Sequence, residues 1–449
     1  MPAPSALHRP ATRTARSVAM GAALAMLLAF AAAPSTVEAA SPVPSATLDA
    51  DIAAVLPKVV AWRRDIHQHP ELGNREFRTA KLVAEHLRSL GLEVRTEVAH
   101  TGVVGVLRGG RPGPVIALRA DMDALPVVEL VDLPFRSTVR STYNGQDVGV
   151  MHACGHDNHV AMLMGAAEVL SRHRAEIPGT LVFLFQPAEE GSPIGERGGA
   201  PLMIEEGALA NPKVEAIFGL HVMPLPVGTI AWREQGIMAS SDSFRVNVLG
   251  RQTHGALPWA GVDPVVLASQ IVLGWQTIVS RQVDATLTPS VLTVGAIHGG
   301  VRNNIVPENV EMIGTIRTFD PGVRAQLHER LRRTAEGIAQ SGGGSAEVKV
   351  NLGNGVTYND PALMRRVLPA LQRVGGEKLL QSDRQTTAED FSAYQAVVPG
   401  VFFFLGVAPD DPARVHPNHS PRFEADERAL PIGVRALIEV AFEYLSPGG

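Results

Sequence analysis

Nine consecutive residues, Met151-His152-Ala153-Cys154-Gly155-His156-Asp157-Asn158-His159, hold three histidines, an aspartate and the one cysteine of the chain. Thiolate and imidazole are the preferred ligands of zinc and its neighbours, so this density suggests a metal ion; a satisfied polar helix cap is the plainer alternative. Cys154 and His156 stand two apart and cannot share a helix face. A turn leading into a helix could aim both at one ion, with Gly155 allowing the sharp backbone. A second cluster, Phe185-Gln186-Pro187-Ala188-Glu189-Glu190-Gly191, closes an apolar run. Carboxylates at the end of a strand sit where open α/β sheets carry their sites. Consecutive residues point different ways, so one carboxylate can bind metal while the other stays free as a base. Alone, the pair would read as a solvated loop. His221 also follows an apolar run, and His416-Pro417-Asn418-His419 lies in a Pro-bounded loop that helix packing does not explain. Together these segments offer soft and hard ligands from four places, the layout of a site on loops above a rigid sheet.

The elements that must hold them alternate. A helical pattern covers 51–90, with stripes through Val55 and Val59 and through Val83 and Leu87, and a helix is expected over 160–172. Apolar strand-like runs occupy 103–107, 115–118, 180–186 and 216–220, which predicts an α/β unit around an internal sheet. Near Gly236 the pattern changes to a half-exposed strand at 243–249, a helix at 264–280, strands at 290–296 and 310–318, a helix at 322–341 and a strand at 347–352. That order predicts a small α+β sandwich of the ferredoxin-like type. Helices at 361–374 and 431–444 around a strand at 401–405 then resume the first pattern. The smaller unit therefore reads as an insertion: 40–236 and 353–449 form the larger domain and 237–352 the inserted one.

Of the 449 residues, 45% are apolar and 19% charged, the balance of a globular protein long enough for two domains. A net charge of −5 argues against nucleic acid as the main partner. Arg9, Arg13 and Arg16 precede an apolar run over 18–33 and a small-x-Ala site at Val37-Glu38-Ala39. Residues 1–39 read as a signal peptide, which predicts a periplasmic or secreted protein with no stable membrane association after cleavage. Whether cleavage falls at Ala39 or Ala40 is left open. An oxidising destination sharpens the question of the lone Cys154, for which burial and metal ligation are the two answers.

These motifs resemble the metal-dependent amidohydrolases that include hippurate hydrolase, aminoacylases and indoleacetyl-amino-acid hydrolases, relatives of glutamate carboxypeptidase and succinyl-diaminopimelate desuccinylase. The resemblance runs from Arg64–Leu72 through Leu118–Pro126, His152–His159, Gln186–Gly191, His254–Pro264, Asn304–Pro307, Gly314–Arg317 and Glu389-Asp390-Phe391 to His419-Ser420-Pro421. It implies a di-metal exopeptidase-like catalytic domain with an inserted lid or dimerisation domain, and two divalent ions per subunit: Zn or Mn, with Co or Ni as alternatives. The implied ligands are Cys154, His156, Glu190, His221 and His419, one of them bridging. Glu189 falls at the position of the general base, His254 at that of a lid histidine supporting the oxyanion, and Asn304 and Arg317 at positions that hold a substrate carboxylate. Asp123 and Asp157 would orient histidine ligands from behind. His67 and His69 read as structural, and Glu389 falls near the site without an assigned role. The more polar segment Leu72–Glu76 is expected to alter the surface near the cleft without touching a ligand. The implied reaction is hydrolysis of small N-acyl amino acids, with a homo-oligomer through the inserted domain. The alternatives are a dinuclear metallopeptidase acting on dipeptides, a phosphoesterase, and a non-catalytic exported binding protein. The intact ligand and base positions argue against the last.

Overall fold

The computed structural model describes residues 42–286 and 288–446; the leader expected over 1–39 lies outside the described residues. The strands of its two main sheets are β1 (Glu93–Val98), β2 (Gly102–Arg108), β3 (Arg111–Asp121), β4 (Pro178–Gln186), β5 (Ala216–Pro226), β6 (Ile230–Trp232), β7 (Asp242–Leu249), β8 (Ser290–Gly299), β9 (Asn309–Thr318), β10 (Ser345–Asn351), β11 (Leu379–Gln381) and β12 (Gly400–Ala408). The long helices are α1 (Ser45–Gln68), α2 (Phe77–Ser89), α3 (His156–Arg172), α4 (Pro264–Thr277), α5 (Pro321–Ser341), α6 (Pro361–Gly375) and α7 (Leu430–Leu445). Helices α4, α5 and α6 share a local cause. In each, an aspartate caps the first turn and proline takes the first helical position: Asp263-Pro264, Asp320-Pro321 and Asp360-Pro361.

The large sheet runs β1-β2-β4-β3-β5-β12-β6-β11, and its centre, β4-β3-β5-β12, is parallel. Parallel strands covered on both faces need apolar residues on both, and β4 and β12 supply them. Phe183 and Phe403 face the layer of α1, α3, α6 and α7, while Leu184, Phe402 and Phe404 pack with Met203, Phe391 and Tyr394 on the other side. Helix α3 is buried on every side from Val160 to Leu170, as a helix apolar all round must be. Register then decides where chemistry emerges. Asp121 pairs with Gln186 where β3 and β4 end, and His221 pairs with Phe404 across β5 and β12. Both pairs lie toward the carboxyl ends of the parallel strands, where such sheets open their crevice.

The helical pattern over 51–90 resolves into two helices, not one. Proline and a left-handed residue interrupt it at Pro70 and Asn74, whose φ is 59°. Between β6 and β11 the chain builds a second, antiparallel sheet in the order β8-β9-β7-β10. Phe244, Leu292 and Met312 of this sheet close a core with Leu267, Trp275 and Leu331 of α4 and α5. Trp275 stacks edge-on against Phe244 at 5.1 Å, and its indole N–H donates to the Leu331 carbonyl at 2.9 Å, so its one polar atom is satisfied inside the core. The two chain crossings into and out of this sheet are tied together. Buried Asp242 accepts from Arg324 Nε at 2.8 Å, from His328 Nε2 at 2.7 Å and from the Gly353 amide at 3.1 Å. Burial opposes its charge, but Arg324 and His328 outweigh that and hold Asp242 down at about 2.

Candidate metal centre

The turn at Cys154–His156 is made by a glycine whose backbone angle and close surroundings both strain any side chain. Gly155 has φ 88°, and a Cβ there would stand 2.4 Å from Val222 Cγ2. The left-handed residue lets the chain enter α3 with Cys154 and His156 converging although they are two apart. Cys154 Sγ lies 3.4 Å from His221 Nε2. The other ring nitrogen of His221 donates to the Val222 carbonyl at 2.8 Å, which fixes the tautomer and leaves the Nε2 lone pair facing the sulfur. His419 comes from the far end of the chain with φ 69°, its amide held by the Ala153 carbonyl at 2.8 Å. A non-glycine residue in that conformation is strained, and here the strain aims a half-exposed imidazole at Glu190, with Nε2 3.0 Å from Oε1. Asn418 closes the junction by donating to the carbonyls of Cys154 and Val222.

Five side chains expected as ligands therefore meet. The donor atoms of Cys154, His156 and His221 lie within 4.8 Å of one another, and so do those of Cys154, Glu190 and His419. Cys154 is common to both triads. His156 is fully buried with neither ring nitrogen hydrogen-bonded, although Nδ1 stands 3.3 Å from Asp123 Oδ1 and Nε2 3.9 Å from Glu190 Oε1. Burial disfavours its charge, but Asp121, Asp123 and Glu190 outweigh that and raise it to about 10. Burial and the carboxylates of Glu190 and Glu189 push the Cys154 thiol the opposite way, well above its ordinary value. A metal ion would resolve a pocket that favours a cation yet opposes a thiolate, because it would supply the positive charge and could take the sulfur as a ligand. The donor set fits the group.

His159 is not part of it. Its Nδ1–H donates to Asp121, and its Nε2 accepts the Val222 amide at 2.9 Å, so both nitrogens are spent. His152 is buried beside His67 and belongs to neither triad; burial drops it to about 3, leaving it neutral. His67 is structural as expected, a buried ring between Asp157 at 2.9 Å and Glu129 at 3.2 Å, while exposed His69 folds back on the Asp65 carbonyl. The role expected of Asp157 needs correction. It pairs with His67 and with Arg63 Nε at 2.9 Å, and orients no histidine of the two triads. Asp123 does stand behind His156, and it also accepts the amides of Glu189 at 3.1 Å and Glu190 at 2.9 Å.

Glu189 stands between the metal cluster and a second acidic group: its carboxylate oxygens lie within 4.8 Å of donor atoms of His156 and Glu190 on one side and of Glu389 and Asp390 on the other. Burial, then repulsion from Glu389 and Glu190, raises it well above the ordinary carboxylate range. The neighbouring charges are balanced by Arg119, fully buried, which reaches Asp121, Glu389 at 2.9 Å, Asp390 at 3.0 Å and Gln186 Oε1 at 2.9 Å. Sequence reading passed over Arg119, although an arginine inside the apolar run Val115–Ala120 must be paired and so announces buried carboxylates.

The remaining three expected residues lie in the second sheet's segment. His254 and Asn304 come together on a short ladder: His254 pairs with Ile305, and the Gly255 amide donates to the Asn304 carbonyl at 2.8 Å. His254 Nδ1 accepts the Ala256 amide, so its Nε2 carries the proton and faces outward. Arg317, on β9, donates to the Ser240 carbonyl at 3.3 Å. Among the described residues, none of the three hydrogen-bonds to or pairs with a member of the metal cluster.

The family model of peptidase family M20/M25/M40 matches residues 117–443. The chain is similar to thermostable carboxypeptidase 2 of Saccharolobus solfataricus, 39% identical over 397 residues, which span 88% of this chain and 97% of that protein. It is similar to N-acetylcysteine deacetylase of Bacillus subtilis at 38% identity over 386 residues, 86% of this chain and 96% of that one. Among solved structures, the Bacillus subtilis YXEP protein, a dinuclear metal-binding peptidase of the M20 family, matches with a TM-score of 0.74 at 36% identity, covering 88% of this chain and 99% of that one.

Proposed function

The chain belongs to peptidase family M20/M25/M40, and from that premise we propose a metal-dependent amidohydrolase that splits N-acyl amino acids into a carboxylic acid and a free amino acid. The observation that carries this reading is a half-buried carboxylate, Glu189, that is in neither of the two donor triads sharing Cys154 yet reaches within 4.8 Å of donor atoms of His156 and Glu190. Two divalent ions there, zinc or manganese, would polarise an amide carbonyl and activate water. Glu189 accepts the proton of the attacking water and returns it to the leaving nitrogen, and its raised affinity for a proton suits that second step. Asp123 holds the Glu189 and Glu190 amides, so base and ligand keep a fixed offset.

In this reading the segment 237–352 is a lid and dimerisation domain. His254 with its outward Nε2–H supports the developing oxyanion, and Asn304 and Arg317 receive the substrate's carboxylate, a guanidinium's natural partner. Relatives named N-acetylcysteine deacetylase and carboxypeptidase support that assignment, since N-acetylcysteine carries a free carboxylate. The leader-like pattern of residues 1–39 supports export to the periplasm or beyond, and no described helix is long and apolar enough to cross a membrane. A carboxypeptidase-like action on dipeptides is the second reading, favoured by the Saccharolobus relative. Release of free amino acid from N-acetyl and N-benzoyl amino acids, run beside dipeptides with metal restored, separates the two. Faster turnover of the acyl amino acids is expected. Turnover of dipeptides alone would select the second reading, and turnover of neither would remove both.

A further inference from the structure

The segment Leu72–Glu76 is polar enough to read as part of the surface near the cleft, yet Asn74 and Glu76 are fully buried. Gly73 packs so closely on the loop that carries Glu189 and Glu190 that a Cβ there would stand 2.7 Å from the Gly191 carbonyl oxygen. That loop begins with Ala188 at φ 51°, a left-handed conformation that alanine avoids. Successive amides in such a turn form a concave nest for anionic groups, and here the protein's own carboxyl groups occupy it. Glu76 Oε1 accepts the Ala188 amide at 2.9 Å, while Asp123 accepts the next two. The other oxygen of Glu76 is held by the Thr101 hydroxyl, so the carboxyl group is braced from β1–β2 on one side and grips the loop on the other.

We propose that Glu76 is a positioning residue for the reaction: with Thr101 behind it, it holds Ala188 in its left-handed turn and thereby sets the direction in which Glu189 leaves the backbone. Asp123 secures the amides of Glu189 and Glu190 but leaves that of Ala188 free, so removing Glu76 releases the start of the loop while the Glu190 end stays anchored. The base is then displaced and the ligand is not. Burial and the Asp123 carboxylate raise Glu76 above the ordinary carboxylate range and favour its neutral form, for which glutamine is a close replacement. The glutamine oxygen can accept from Ala188, and its amide nitrogen can donate to the Thr101 hydroxyl.

The inference rests on Glu189 being the base, and the test uses the metal-loaded full chain with the N-acyl amino acid it turns over best. A parent enzyme with no turnover would count against the function itself. With an active parent, Glu76→Ala is expected to lower kcat by about 30- to 100-fold, the scale of an ångström of misplacement, with KM within about 3-fold and metal content unchanged. Glu76→Gln is expected to recover kcat to within about 3-fold of the parent. A Glu76→Ala enzyme with parental kcat overturns the proposal. So does a glutamine variant as impaired as the alanine one, or a loss of bound metal that accounts for the loss of rate. If Glu76→Ala does not fold, Glu76→Gln and Thr101→Val decide. Thr101→Val is expected to lower kcat several-fold with KM and metal content kept, and unchanged kcat in Thr101→Val would overturn the brace.

Discussion

Glu189→Gln is expected to lower kcat on the order of 10³-fold, within the range for removing a general acid–base group, while the protein keeps its metal and its fold. Glutamine preserves the size of the side chain and can still accept the Asp390 amide, which lies 3.4 Å from Glu189 Oε1. What it loses is the capacity to take a proton. No neighbour can stand in. Glu389 and Asp390 are close, but Arg119 engages both, and Glu190 faces His419. The variant should therefore bind substrate with a KM near that of the parent, because the base acts on the water and not on the substrate's recognition groups. Steady-state rates together with metal analysis check this. A Glu189→Gln enzyme that retains metal and turns over within 10-fold of the parent would remove Glu189 from the mechanism.

His156→Ala tests the metal centre itself. His156 is buried with both nitrogens lacking a hydrogen-bond partner, an arrangement that costs about 1–3 kcal/mol unless something else binds them. In the proposed site a metal ion would be that partner, so the expected sign depends on loading. With metal, the variant should hold fewer equivalents and lose at least about 10²-fold in rate, since losing even an outer-shell partner of a metal ligand costs 10- to 100-fold. In the parent, metal at 100 times its dissociation constant adds about 2.7 kcal/mol to stability, and a chelator should remove it as a fall in Tm. The variant should show a smaller fall. Thermal unfolding with and without chelator, alongside rates, reads both effects. Equal chelator sensitivity in parent and variant would show that His156 does not bind the ion.

What could be read from the residues alone followed from chemistry that works locally. Cys154 and His156 stand out because few functions other than metal binding want thiol and imidazole together around a glycine. The strands of the parallel centre stand out because burial on both faces leaves unbroken apolar runs. Helices α4, α5 and α6 stand out by their apolar pattern, which is local as well. Long-range pairings were out of reach. Arg119 finds Glu389 and Asp390 some 270 positions away, and nothing near any of them names the partner. Asp157 sits among metal-binding residues in the sequence, but α3 turns it toward Arg63 and His67 and not into the site. The polar look of Asn74 and Glu76 suggested a surface, and the structure buries both because, beside the Glu196 and Thr101 side chains, they bind the Arg197 carbonyl and the Ala188 amide, backbone groups that no side-chain pattern reveals.

The central claim is a catalytic site built by two donor triads that share Cys154, served by Glu189. The most direct measurement strips the full chain of metal and adds back Zn²⁺ or Mn²⁺ in steps, following release of free amino acid from an N-acyl amino acid against equivalents bound. The account predicts no activity in the stripped chain and full recovery as the bound metal approaches two equivalents per chain. Undiminished activity in the stripped chain, or full activity with metal bound in a Cys154→Ala, His156→Ala double variant, would contradict it.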